Sequence, residues 1–279
     1  MTNEPRHEDE YSPRQIQAAH RVLVDLGQVL ASFKNCLVVV GGWVPDLLLP
    51  DSPEPHIGSI DVDLALNAEK LSEGRYAKLI ETLLNSGRYF QSDEAFKLYI
   101  EIDLKDGEKS VRVDVDFLKS SDVKLKKNKP NLVPGFRPLD AKGCAAAFNH
   151  PELAVLAGQM AKGAKNKVQF WVASIPDFLV MKAFAVAGRD KPKDAYDICF
   201  CLDNFHGGRT ALAEAWNLTP RKKYISDAIA ILKEKFSTVD DYGPSQVVEF
   251  HNSTDPDERA QQQRRAFELV QDFLRMIHD

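Results

Sequence analysis

Two aspartates separated by one apolar residue are the part of the sequence best suited to chemistry. Asp61 and Asp63 alternate with apolar residues in the run SIDVDLAL, residues 59–66, which is typical of a half-buried β-strand. Side chains two residues apart in a strand point to the same face, so the two carboxylates lie side by side. Because like charges at short range repel unless a cation lies between them, this pair predicts a site for Mg²⁺ or Mn²⁺. The alternative is a solvated strand face.

A glycine pair precedes the two aspartates. The apolar run Leu37–Val40 predicts a buried strand, which stops at Gly41 and Gly42 before a short amphipathic segment, Trp43–Leu49. Glycine tolerates positive φ and allows close approach of a ligand, and amides at a helix start favour an anion. We therefore expect the amides of Gly41 and Gly42 to bind phosphate, although such a pair can also form a simple turn.

A second acidic strand is predicted by VRVDVDFL, residues 111–118, in which Asp114 and Asp116 share a face with Arg112. If this strand lies beside the first pair of aspartates, one of its carboxylates completes a group of three. The alternative is the solvent face of an edge hairpin, with Arg112 pairing with Asp114.

The order of apolar strand, Gly-Gly, insert and Asp-x-Asp resembles the nucleotidyltransferase fold of the DNA polymerase beta superfamily. The resemblance implies a third carboxylate in an apolar-Asp-apolar context after a basic residue, which favours Asp114 and leaves Asp116 as the second choice. It makes Ser59 a candidate nucleotide contact. The insert is longer than usual, so residues 50–58 are expected to be an elaboration near the pocket. The candidate metal ligands are Asp61, Asp63, Asp114 and Asp116.

A second group of polar residues lies in the helical second half. Lys182 falls in a helix predicted over residues 175–188, and a further helix restarts at Pro192 with Asp194 and Asp197 three residues apart on one face. This arrangement resembles the AbiEii-type nucleotidyltransferases, which include toxins of toxin–antitoxin pairs. The resemblance implies that Lys182 contacts the triphosphate and that Asp194 or Asp197 activates or orients the acceptor. The structural alternative is a Lys–Asp ion pair that ties the helices together.

The resemblance to the AbiEii-type enzymes covers roughly residues 35–205 at the level of motifs. These enzymes often have a basic residue shortly before the Asp-x-Asp strand, where this chain has His56.

Composition is ordinary for a globular chain and limits the classes of partner. Of the 279 residues 44% are hydrophobic and 28% charged, and the net charge of -5 gives no overall basic character. The polar, acidic start and the lack of a long apolar run predict a cytoplasmic protein that does not contact a membrane. Four scattered cysteines are expected to be reduced. One basic run could steer a polyanion or be simply solvated: Lys119, Lys124, Lys126, Lys127 and Lys129.

The predicted order of the helices and strands that position these residues is typical of an α/β (α+β) fold. We expect a flexible arm at 1–11, a nucleotidyltransferase core with a mixed sheet flanked by helices at 12–140, and a mostly helical C-terminal domain at 141–279, with the cleft between the last two. Periodicity predicts the following elements: helices at 12–33, 72–85, 175–188, 192–202, 210–216, 221–236 and 257–277, and strands at 96–104, 110–118 and 169–172.

The predicted function is metal-dependent transfer of a nucleoside monophosphate from an NTP to an acceptor hydroxyl, with Mg²⁺ or Mn²⁺ as the cofactor. The AbiEii resemblance implies an RNA or tRNA 3′ end or a protein as the acceptor, a toxin role and an antitoxin partner. The rival within the enzyme class is a small-molecule acceptor of the aminoglycoside kind. From a different class, a degenerate fold could bind nucleotide or a partner protein without turnover.

Overall fold

A single mixed β-sheet organises the first compact unit of the chain. The computed structural model describes residues 5–67, 70, 73–121, 134–220 and 222–277. Within these residues the sheet has eight strands: β1 (Leu37–Val40), β2 (Val62–Leu66), β3 (Phe90–Gln91), β4 (Lys97–Ile102), β5 (Val111–Ser120), β6 (Leu139–Ala141), β7 (Glu152–Gln159) and β8 (Lys165–Val172). Their order is β3-β4-β5-β2-β1-β8-β7, with β6 paired to β5.

The two central strands are β1 and β2, which pair antiparallel so that Val40 lies opposite Asp63. All four residues of β1 are buried, as expected for a strand covered on both faces. In β2 the apolar residues are buried and Asp63 is half-buried, because side chains alternate between the two faces of a strand. This alternation places the acidic side chains on one face of the sheet.

The acidic strand β5 lies directly beside β2. β4 and β5 form the predicted antiparallel hairpin, and β5 then pairs in parallel with β2. The turn between β4 and β5 contains Lys105 at φ 62° and Gly107 at φ 85°, both in the left-handed region that tight turns require. The parallel register places Asp116 opposite Asp63.

One long helix, α1 (Pro13–Val29), packs on the sheet as the sequence predicts. Ser12 caps it by accepting from the amide of Gln15, and Pro13 occupies the first turn. Its apolar face is buried, Val22 and Leu23 completely, and the helix contacts β5, β7 and β8. Two further helices belong to this part of the sequence: α2 (Trp43–Leu48) and α3 (Glu73–Asn85).

The sheet continues past the predicted end of the core at residue 140. β8 pairs in parallel with β1 and forms a hairpin with β7 along its whole length. The compact unit that contains the sheet therefore consists of residues 12–47 and 58–173. Residues 150–163 show no clear alternation, and that is why β7 was not predicted.

The second compact unit consists of residues 1–11, 48–57 and 174–279. Six helices build its described part: α4 (Ile175–Gly188), α5 (Lys193–Asn204), α6 (Gly208–Asn217), α7 (Lys223–Lys235), α8 (Tyr242–His251) and α9 (Pro256–Met276). Of these, α8 was not predicted, since the Gly243-Pro244 pair in its first turn looks like a loop. The predicted fold class, a mixed sheet flanked by helices and followed by a mostly helical part, is confirmed.

The N-terminal segment is in contact with the helices of its unit, although a flexible arm was predicted. The Arg6 guanidinium donates to Glu249 at 2.6 Å and to Asp190 at 3.0 Å, and the His251 ring lies 2.8 Å from Glu8. Tyr11 is buried against the ring of Phe250. These contacts fix the described residues of the arm, because charged and aromatic groups on α8 match them.

The cysteines, the helices and part of the basic run lie among the described residues. All four cysteines are buried and free, as predicted. Among the helices described here, none has both the length and the apolar composition needed to cross a membrane. Of the basic run, Lys119 is buried and pairs with Asp140, whereas Lys124, Lys126, Lys127 and Lys129 lie outside the described residues.

Candidate active site

The first candidate site lies on the acidic face of the sheet, where β2 and β5 are adjacent. Asp61 immediately precedes β2, and its side chain accepts a hydrogen bond from the Ser59 hydroxyl at 2.6 Å. The Trp43 indole donates to the Asp61 carbonyl at 2.7 Å, which fixes the backbone at this point. Ser59 and Trp43 are buried. Asp61 is therefore held at the start of the strand that presents Asp63.

Asp116, rather than Asp114, is the residue opposite Asp63 in the register of the two parallel strands. The sequence-based first choice, Asp114, lies one strand repeat earlier. Its carboxylate accepts from Arg112 at 2.9 Å and lies 3.2 Å from the Lys97 ammonium. Arg112 stacks over the Tyr99 ring at 4.1 Å. The predicted Arg112–Asp114 pair is thus present. The carboxylate of Asp114 is already paired with two cations, Arg112 and Lys97.

The environment of Asp116 favours a proton or a cation on its carboxyl group. Burial, and next the neighbouring Asp63, raise the pKa of Asp116 to about 8. Its Oδ1 atom is buried and has no hydrogen-bond partner among the described residues, although the Lys97 ammonium lies 3.7 Å away. A buried carboxylate oxygen that lacks a hydrogen bond is a group that a metal ion can satisfy.

Gly41 allows the end of β1 to approach the acidic face closely. Its φ is +70°, and a Cβ atom built there would lie 1.9 Å from Oδ2 of Asp63. Both the backbone conformation and the space therefore require glycine. Gly42, which follows, is buried and leads into α2. The predicted strand, glycine pair and turn are present, and Asp63 lies directly against the first glycine.

The acidic face fits a divalent cation by its chemistry, though not as a preformed cage. Carboxylates supply oxygen ligands alone, the kind that Mg²⁺ and Mn²⁺ prefer. As the side chains stand, no group of three or more His, Cys, Asp or Glu residues in the described part of the chain is arranged to hold a metal ion. The fit rests on the adjacent pair Asp63 and Asp116 and on the unsatisfied oxygen of Asp116.

The second group of predicted residues forms a buried charge cluster in the helical unit. Lys182 on α4 donates to Asp194 on α5 at 2.6 Å, and its ammonium also lies 2.6 Å from Oδ2 of Asp197. The second contact is an ion pair whose angle is poor for a hydrogen bond. Arg189 donates to both oxygens of Asp194, at 2.7 and 2.9 Å. The structure therefore brings Lys182, Asp194 and Asp197 together.

Opposite charges keep this cluster ionised despite complete burial of the two aspartates. Desolvation opposes ionisation, yet Lys182 and Arg189 lower the pKa of Asp194 to about 2. Lys182 and Lys193 likewise hold the pKa of Asp197 well below its usual range, against the same desolvation. The pKa of Lys182 is raised, because its two carboxylate partners outweigh its burial. This geometry matches the structural alternative stated for the sequence.

Besides Arg189, two further members of the cluster were not predicted. Lys193 donates to Oδ1 of Asp197 at 2.7 Å, and the Nε2 atom of His56 lies 2.9 Å from the same oxygen. The i,i+4 spacing of Lys193 and Asp197 on a helix is a signal that could have found the first. His56 lies in the Pro-rich loop of residues 50–58, where nothing in the sequence indicates burial. Its ring stacks against Tyr196 at 5.5 Å.

His56 is expected to make the stability of the helical unit sensitive to acid. Burial, and next Lys193, lower the pKa of His56 from 6.5 to about 4, so the ring is neutral and Nε2–H donates to Asp197. A depressed folded-state pKa gives stability that is present above pH 6.5 and is lost as the pH falls towards 4. The free energy of unfolding is expected to fall by up to roughly 3 kcal/mol over this pH range. Urea unfolding at a series of pH values measures it.

His56→Gln keeps a donor at a similar position but does not titrate, so its stability is expected to change less over the same pH range. The exposed His206→Gln is the matched control and should follow the wild type. If His56→Gln has the same acid slope as the wild type, the buried neutral ring is not its cause.

The comparisons with known proteins bear on both groups of residues. The family model described as "Nucleotidyl transferase AbiEii toxin, Type IV TA system" matches residues 58–279. This match covers well over half of the chain. The chain belongs to the AbiEii nucleotidyltransferase toxin family. The matched range contains all the predicted carboxylates and Lys182, whereas Gly41 and Gly42 precede it.

The other comparisons give no match or only weak likenesses. No curated protein matches the chain. An antigenic nucleotidyltransferase-like protein from Paracoccidioides brasiliensis is 17% identical, with a TM-score of 0.44 over 78% of this chain and 88% of that one. JHP933 from Helicobacter pylori is 12% identical, with a TM-score of 0.37 over 96% and 92% of the two chains. Both TM-scores are below 0.5, so the family assignment rests on the sequence match.

Proposed function

We propose that this AbiEii-family chain transfers a nucleoside monophosphate from an NTP to an acceptor hydroxyl. The acceptor oxygen would bond to the α-phosphorus, the bond to the bridging oxygen of the β-phosphate would break, and pyrophosphate would leave. The observation that carries the proposal is the register that sets Asp63 and Asp116 side by side on adjacent parallel strands, in a chain of a nucleotidyltransferase family.

The acidic face would hold the metal ions of this reaction. We assign Asp61, Asp63 and Asp116 as the ligands of Mg²⁺ or Mn²⁺, with Ser59 orienting Asp61 through its 2.6 Å hydrogen bond. When bound, such ions stabilise negative charge at the α-phosphate and lower the pKa of the acceptor hydroxyl. Asp114 would remain with Arg112 and Lys97.

The nucleotide would be held mainly by backbone groups and by Ser59. We propose that the amides of Gly41 and Gly42 bind phosphate oxygens, because Gly41 has no side chain to obstruct approach. The contact of Lys182 with the triphosphate stays a prediction. Its ammonium is buried against Asp194 and Asp197, so a phosphate would have to replace one of these carboxylates. The activation of the acceptor by Asp194 or Asp197 also stays a prediction.

The family description names a toxin of a type IV toxin–antitoxin system and supports an antitoxin as partner, but it names no acceptor. We propose an RNA acceptor, with the 3′ end of tRNA as the first candidate, and an antitoxin protein as the regulatory partner. The cytoplasm, where NTPs and RNA occur together, is the proposed location. A protein hydroxyl and a small-molecule hydroxyl are the other outcomes that a test must separate.

Label transfer from each of the four α-³²P nucleoside triphosphates in turn, with Mg²⁺ and total cellular RNA, tests the proposal. We expect label in RNA with one nucleotide preferred, and loss of label with EDTA or in Asp61→Ala/Asp63→Ala. Label in protein would indicate a protein acceptor instead of RNA. Label in neither fraction would contradict the proposed RNA acceptor. Calorimetry with NTP would then distinguish a nucleotide-binding protein without turnover from one that does not bind nucleotide.

A further inference from the structure

One lysine lies among the carboxylates of the acidic face and has no part in the mechanism described above. Lys97 is the first residue of β4, directly opposite Asp116 in the antiparallel register with β5. Its ammonium lies 2.9 Å from Glu94, 3.2 Å from Asp114 and 3.7 Å from Asp116. Only 12% of its side chain is exposed, so the side chain is largely shielded from water.

The surroundings of Lys97 keep it charged. Burial disfavours the ammonium, but Asp116, Glu94 and Asp114 outweigh that effect and raise the pKa of Lys97 above its ordinary value. Its positive charge in turn opposes the rise in the pKa of Asp116. The strand register and these distances place the Lys97 ammonium at the edge of the carboxylate pair formed by Asp63 and Asp116.

We propose that Lys97 is a tethered counter-cation of the metal site, which occupies the face of Asp114 and Asp116 when no divalent ion is bound and opposes the binding of one. The inference rests on the proposed function. Its physical basis is that the ammonium and a divalent ion at Asp116 would share one negative face within a few ångströms, where like charges repel. Lys97 would act as a positioning residue that keeps the metal-free sheet intact and limits metal affinity.

The variant Lys97→Met tests both proposed effects of Lys97, namely stabilisation of the metal-free protein and reduction of its affinity for metal. Without divalent ions, its melting temperature is expected to fall below that of the wild type, because Asp116 loses its ion pair with Lys97 while Asp114 retains only Arg112 of its two described cations. Saturating Mg²⁺ is expected to raise its melting temperature by more than it raises that of the wild type, through tighter binding to the folded state. Calorimetric titration at one pH should give a roughly five- to tenfold lower Kd for Mg²⁺.

Two variants make the comparison specific. Lys105→Met removes a lysine just after β4 that is 82% exposed and pairs with Asp103, so it should respond to Mg²⁺ like the wild type. Lys97→Arg keeps the charge and should also respond like the wild type. If Lys97→Met does not fold, Lys97→Gln replaces it, and recovery of its folding by Mg²⁺ is then the expected result.

The outcomes distinguish this inference from the proposed function. If Asp63→Asn abolishes the Mg²⁺ shift but Lys97→Met shows a shift equal to or smaller than that of the wild type, the counter-cation role is overturned and the metal site stands. If the wild type neither shifts with Mg²⁺ nor transfers label, the proposed function is overturned, and this inference with it.

Discussion

Asp116→Asn is expected to lower the rate of nucleotidyl transfer by on the order of 10³-fold, whereas Asp114→Asn is expected to lower it by about tenfold or less. A bound divalent ion supplies several kcal/mol of charge stabilisation, and about 4 kcal/mol corresponds to that larger factor. Only Asp116 lies opposite Asp63 with a carboxylate oxygen that lacks a hydrogen bond in the described structure. Asp114 is already paired with Arg112 and Lys97.

The two variants form a matched pair, because both remove one charge from the same face of the same strand. Initial rates of label incorporation under saturating nucleotide measure the effect, and the Kd for Mg²⁺ shows whether metal binding is lost along with the rate. Equal losses in the two variants would contradict the assignment from strand register. A larger loss in Asp114→Asn would restore the sequence-based first choice.

The choice between Asp114 and Asp116 shows where sequence reasoning reached its limit. Alternation along residues 111–118 places both carboxylates on one face, and it identified that face, the hairpin with β4 and the possibility of a neighbouring acidic strand. The choice depends on the parallel register with β2, which is set by packing between segments about fifty residues apart. A period of two residues contains no information about that register.

The charge cluster in the helical unit shows the same limit in another form. Helical spacing predicted α4 and α5, and the motif predicted that Lys182, Asp194 and Asp197 belong together. His56 joins them from a loop more than a hundred residues earlier, and loops give no periodic signal from which burial can be inferred. The sequence therefore predicts which members of the cluster lie on predicted helices. It does not predict members, such as His56, that tertiary contacts bring in from a loop.

The two charged groups differ in how their charges are balanced. On the acidic face Asp61, Asp63, Asp114 and Asp116 outnumber the nearby cations Lys97 and Arg112, and the pKa of Asp116 rises to about 8 as a result of burial and its acidic neighbours. In the helical unit Lys182, Lys193 and Arg189 surround Asp194 and Asp197, whose pKa values fall. An excess of negative charge suits a site that takes up a cation, whereas carboxylates already enclosed by cations suit a structural tie.

Asp197→Asn is therefore expected to destabilise the protein by about 3–5 kcal/mol, the range for breaking a buried ion pair by removing one partner. The carboxylate of Asp197 is completely buried and is contacted by Lys182, Lys193 and His56. Asparagine preserves the shape but leaves the Lys193 ammonium, which is 3% exposed, without a compensating charge. Urea unfolding near neutral pH, followed by circular dichroism, measures the change in free energy of unfolding.

Asp203→Asn is the matched control on the same helix, because Asp203 pairs with Arg265 at a largely exposed position. Surface pairs of this kind contribute about 1 kcal/mol or less, so the control should stay close to the wild type. If Asp197→Asn keeps wild-type stability but loses label transfer, Asp197 acts on the acceptor rather than as a structural tie. If it loses stability and the fraction that remains folded still transfers label at the wild-type rate, the ion-pair role is sufficient. The acceptor-activating aspartate would then have to be Asp194 or a group outside this cluster.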